Sequence, residues 1–180
     1  MTPDADEVSD AAAALKAAKR PMIIAGGGVQ YSRAVAELTD FAEVHRIPVV
    51  ESIAGRANLV ATHELNIGPI GVTGSDSANN IAEEADVILS VGCRLQDFTT
   101  GSWTAFAKDA QIIGLNAARH DAGKHRSLPI VGDAKFGIKA LGTAMSGYTS
   151  PSDWTEKAKA ERAKWDAYVC LLYTSDAADD

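Results

Sequence analysis

Short apolar runs alternate with segments of helical period along most of the chain. Asp6 to Lys19 is Ala-rich, and Val8, Ala11, Leu15 and Ala18 fall on one stripe, which predicts a lead-in helix stopped by Pro21. Pro21-Met22-Ile23-Ile24-Ala25 then reads as a buried strand closed by Gly26-Gly27-Gly28. Ser32 is placed to cap a crossover helix, in which Ala34, Val35, Leu38, Phe41, Ala42 and Val44 recur near helical period before Pro48. Ile47 to Glu51 is a second strand and completes a β-α-β unit.

The middle of the chain repeats this alternation. Gly74-Ser75-Asp76 offers capping side chains to a helix over Ser77 to Ala85, and Asp86 to Gly92 is a third strand ending in glycine. Gln111 to Asn116 makes a fourth strand, Leu128 to Asp133 a short fifth, and Ala134 to Met145 returns to helix. Alternation of this kind predicts an α/β fold, a doubly wound and mostly parallel sheet with helices on both faces, Rossmann-like in style. The expected organisation is a lead-in helix over residues 1–20, a domain over 21–147, and a linker with an amphipathic exit helix over 148–169. The stretch from Cys170 to Asp180 fits neither that helix nor a new element. It resembles translated sequencing-adapter read-through, so a non-native tail is expected, with a frayed natural end as the alternative.

Composition narrows the function without naming it. A formal net charge of -7 and the lack of a dense Lys/Arg block argue against nucleic-acid binding. No apolar run approaches the ~18 residues of a membrane helix, and the start lacks the order of a secretory signal, so a cytoplasmic protein is expected. Cys93 and Cys170 are too far apart for a CxxC or mixed Cys/His ligand pattern, and no metal site is expected.

Three strand ends are candidates for chemistry. Gly26-Gly27-Gly28 can bring backbone N–H groups against a phosphate, or can be a plain strand-to-helix turn; Tyr31 stands where a dinucleotide fingerprint needs a further glycine. Arg94, after the third strand, can fork onto a phosphate or pair with Asp97. Asn116 ends the fourth strand, where an acidic residue commonly holds a ribose diol, and it brings hydrogen bonds without charge. His120-Asp121 has the residue types of an acid/base pair, but adjacent residues seldom face each other, and surface positions are the preferred reading.

Taken in order, five phrases resemble the central domain of thiamine-diphosphate-dependent enzymes. They are Pro-Met-Ile-Ile-Ala-Gly-Gly-Gly-Val from Pro21, Ile-Pro-Val-Val-Glu-Ser from Ile47, the run Asn79 to Arg94, Gln111-Ile112-Ile113, and Pro129 to Ala134. The variants Gly92 to Ser102 and Leu115 to His125 are similar to the inositol-catabolism branch, with an acetolactate-synthase-like branch or an autonomous nucleotide-binding module as alternatives. The resemblance implies a DHS-like NAD/FAD-binding fold, and a parent enzyme that uses thiamine diphosphate and Mg²⁺ for hydrolytic ring opening of a cyclic dione. It implies nucleotide contacts at Gly26, Gly27, Gly28, Arg94, Asn116 and the Gly132-Asp133 turn; with Asn116 in place of an acid, a tight FAD or ADP site is not expected. The activating glutamate and the metal-diphosphate motif of such enzymes belong to flanking catalytic domains that this sequence does not contain. Those domains are the expected partners, any homo-oligomer belongs to the intact enzyme, and the present chain alone is expected to be inactive.

Overall fold

The computed structural model describes residues 1–175. In chain order the elements are α1 (Ala5–Ala17), β1 (Pro21–Ala25), α2 (Gly27–Tyr31), α3 (Val35–His45), β2 (Val49–Glu51) and β3 (Asn66–Pro69). There follow α4 (Asp76–Glu84), β4 (Val87–Val91), α5 (Asp97–Thr100), β5 (Gln111–Asn116), α6 (Arg119–Ala122), β6 (Leu128–Val131), α7 (Ala134–Ala144) and α8 (Ser152–Ser175). The six strands form one sheet in the order β3-β2-β1-β4-β5-β6. Every strand pairing is parallel.

Alternation along each strand divides the core. Ile23, Val49, Leu89, Ile113 and Ile130 point to one face, against α1, α3 and α7 through Leu15, Leu38, Phe41 and Leu141. Met22, Ile24, Val50, Ile88 and Ile112 point to the other, against α4 and α8 through Ile81, Trp154 and Ala158. β1 and β4 are buried at every position, as central parallel strands covered on both sides must be.

Both sheet edges are closed by charged side chains. Glu7 of α1 accepts the Val131 N–H at 2.8 Å on the β6 edge, and Arg162 of α8 donates to the Asn66 carbonyl at 3.1 Å on the β3 edge. The ends are also tied across the sheet, since Asp86 accepts the N–H groups of Lys19 and Arg20 at 2.9 and 2.8 Å.

Three features depart from the sequence-based expectation. The crossover is two helices rather than one: Arg33 lies at φ 50° between them, Ala34 takes the cap position of α3, and Ser32 ends α2 instead of capping its successor. β3 was not anticipated, because Asn66-Ile67-Gly68-Pro69 has no β-branched run; Asn66 holds it by donating to the Leu59 carbonyl at 3.3 Å. The exit helix also continues past 169 through Cys170 to Ser175, so the first part of the suspected tail is helical, while residues 176–180 lie outside the described residues.

An ion-pair network seats α8. Glu64 receives Arg46, the C-cap of α3, and Lys159 of α8, the latter at 3.1 Å. Hydrogen bonds from Arg46 and then Lys159 hold its carboxyl at about 2, below the usual 4.5. A depressed folded-state pKa stabilises above the unfolded value, and that stabilisation is lost as pH falls from about 4.5 toward 2. Glu64→Gln is therefore expected to flatten the acid dependence of stability in that window. At pH 7 it should cost no more than about 1 kcal/mol, the usual ceiling for an exposed pair. Urea unfolding from pH 7 down to pH 3 checks this, and an unchanged acid slope in the variant would contradict it.

Candidate functional site

Strand order reverses between β1 and β4, so the chain leaves their carboxyl ends in opposite directions and a crevice opens there. It is a groove of about 680 Å³, walled by α2, the loop after β2, and the loops after β4 and β5. Gly27, Gly28, Arg94 and Asn116 line it.

The crevice exists in this form because two backbones nearly touch. A methyl on Gly26 would lie 2.3 Å from the Gly92 carbonyl oxygen, and one on Gly28 would lie 2.6 Å from the Gly92 Cα. The same contact consumes donors. Gly26 N–H donates to the Val91 carbonyl at 2.8 Å, and Gly28 N–H donates to Gly92 at 2.9 Å. Gly26 therefore closes the strand and lies outside the groove lining that Gly27 and Gly28 supply.

The other candidates divide in the same way. Asn116 donates from Nδ2 to the Cys93 carbonyl at 3.3 Å and accepts the Ala118 N–H at 3.2 Å, so its amide closes the turn after β5 and ties it to the loop after β4. Asp133 caps α7 by accepting from Lys135 and Phe136, and it too is absent from the lining, which Gly132 and Ala134 supply. Arg94 is exposed on the rim and makes no ion pair among the described residues; its carbonyl accepts Lys124 Nζ at 2.9 Å. The alternative Arg94–Asp97 pair does not form, because the chain reverses at Leu95 (φ 48°) and Asp97 opens α5.

Several lining residues had no sequence signal. Tyr31 at the end of α2, Ser52 and Ile53 after β2, and Phe98 in α5 reach the groove from three separate segments, and only the strand order brings them together. His120 is exposed, and its neighbour Asp121 pairs with Lys124 at 2.8 Å. Cys93 is a core thiol; burial pushes its pKa above the usual value, which keeps it protonated and unreactive near neutral pH. His45 is a fully buried structural residue whose Nδ1 lies 2.8 Å from the Tyr148 carbonyl, tying the linker to α3.

Residues 8–141 match the family described as thiamine pyrophosphate enzyme, central domain. The chain belongs to this family. As a thiamine pyrophosphate central domain it has relatives with one shared name, 3D-(3,5/4)-trihydroxycyclohexane-1,2-dione hydrolase. It is 40% identical to that of Geobacillus thermodenitrificans over 82% of this chain and 23% of the relative. Against the Bacillus velezensis protein it is 38% identical over 98% of this chain and 28% of the relative, and against that of Clostridium tetani 36% over 95% and 27%. The central domain thus spans about a quarter of the length of these curated relatives.

Among the described residues no group of three or more His, Cys, Asp or Glu side chains is placed to hold a cation. No helix among them is long and apolar enough to cross a membrane.

Proposed function

We propose that this chain is the central domain of a thiamine-diphosphate- and Mg²⁺-dependent hydrolase that opens the ring of trihydroxycyclohexane-1,2-dione in inositol catabolism. The observation that carries this reading is the similarity to hydrolases of that one name across nearly the whole chain, the groove loops included. In this reading the domain is structural. Its groove keeps the shape of a nucleotide site, but the N–H groups of Gly26 and Gly28, the Asn116 amide and the Asp133 carboxylate are all engaged with its own backbone. Cofactor and metal are held by flanking catalytic domains, in a cytoplasmic protein.

Two measurements test the reading. The parent polypeptide, supplied with thiamine diphosphate and Mg²⁺, is expected to convert the cyclic dione into a product heavier by one water; condensation of pyruvate instead would favour an acetolactate-synthase-like enzyme. For the present chain, FAD, ADP or NAD at millimolar concentration is expected to leave Tm unchanged, because a ligand stabilises by about RT ln(1 + [L]/Kd) only when it binds the folded state. A rise of several degrees with any of the three would sink the degenerate-groove reading.

A further inference from the structure

Exposed apolar side chains gather at one end of the sheet. Tyr31 is 91% exposed, Ile53 59%, Val72 65% and Phe98 48%, each just beyond the carboxyl end of β1, β2, β3 or β4. Three of them, Tyr31, Ile53 and Phe98, line the groove itself. The rim is held rather than loose. Val72 N–H donates to the Phe98 carbonyl at 3.0 Å, and a methyl on Gly71 would meet that same oxygen at 2.3 Å. Arg33, Ala57 and Leu95 in these loops sit at φ 50°, 65° and 48°, strained conformations that persist only where surroundings dictate them. Exposed apolar side chains around a guanidinium that makes no ion pair among the described residues suit a protein-binding surface.

We propose that this groove is the seat of another segment of the same parent polypeptide, an apolar stretch carrying a carboxylate for Arg94, and that it is filled by protein rather than by nucleotide. The proposal rests on the reading above that the chain is one domain of a longer hydrolase. Two observations select this occupant. The relatives are about four times as long as the matched region, which leaves ample chain to cover the rim. The groove offers an exposed guanidinium beside aromatic and aliphatic surface, while the polar groups that would read a nucleotide are engaged in its own walls.

Hydrogen–deuterium exchange compares the parent polypeptide with the present chain. Amides of the loops over 53–60 and 94–101 are expected to exchange at least about tenfold more slowly in the parent, since docking removes their local opening. The pair Arg94→Glu and Phe98→Asp, placed in the parent, is expected to restore fast exchange; in the present chain it should move Tm by no more than about 2 °C, as surface changes do. Equal exchange in parent and isolated chain overturns the proposal. So does a concentration-dependent dimer of the isolated chain that Phe98→Asp abolishes, which would assign the rim to a second copy, and so does loop protection in the parent that appears only with added FAD. Protected loops in a parent that does not open the cyclic dione would remove the hydrolase reading and leave the docking intact; ring opening with unprotected loops would do the reverse.

Discussion

Gly92→Ala is expected to destabilise the chain by about 4 kcal/mol and to lower Tm by roughly 10 °C, on the scaling for a domain of this size. Two costs add at this position. Gly92 has φ +60°, where a side chain costs about 1–2 kcal/mol. Its new methyl would also stand 2.6 Å from the Gly28 Cα, and backbone on both sides can yield only by opening the β1–β4 crossover, an overpacking cost of about 1–3 kcal/mol. Gly147→Ala separates the two terms. Gly147 also has a left-handed backbone, at φ +80°, but a methyl there meets nothing within 4 Å. It is expected to cost only about 1 kcal/mol. Urea unfolding of the two variants side by side reads the difference. Equal losses would mean that the close approach of Gly28 to Gly92 does not hold the crevice.

That contact shows where the sequence was legible and where it was not. The strands β1, β4 and β5 are mostly apolar runs, and their positions followed from pattern alone, because burial on both faces favours that composition. The glycine turn was legible as a place of close approach. Its partner was not, since Gly92 lies far along the chain and only the reversal of strand order brings it to Gly28. The same reason hid the fates of Asn116 and Asp133: residue type predicts what a side chain can bond to, whereas the loop around it decides what it does bond to. β3 escaped for another cause. It is an edge strand four residues long, held by Asn66 and Arg162 side chains instead of by apolar alternation, so periodicity carries no trace of it.

The family match ends at residue 141, yet the packing places part of the core beyond it, in α8. Trp154 is 4% exposed among the residues of the second core face, and its Nε1–H donates to the Pro21 carbonyl at 2.8 Å, at the start of β1. Thr155 adds a bond to the Arg46 carbonyl at 2.7 Å, and Ala158 is fully buried one turn on. Trp154→Ala is therefore expected to cost about 3–5 kcal/mol, the range for removing a large aromatic side chain from a core. Trp154→Phe keeps much of the buried ring and loses the donor to Pro21, so about 1–2 kcal/mol is expected from it. Both should appear in urea unfolding as one cooperative transition displaced to lower denaturant, because α8 covers α4 and the β3 edge and is not an independent appendage. An Ala variant within about 1 kcal/mol of the wild type would show that α8 merely rests on the sheet, with the domain ending near its family boundary. A loss of the expected size would make Trp154 the residue that extends the folding unit past that boundary, tying the helix the sequence marks only as an exit to the first strand of the sheet.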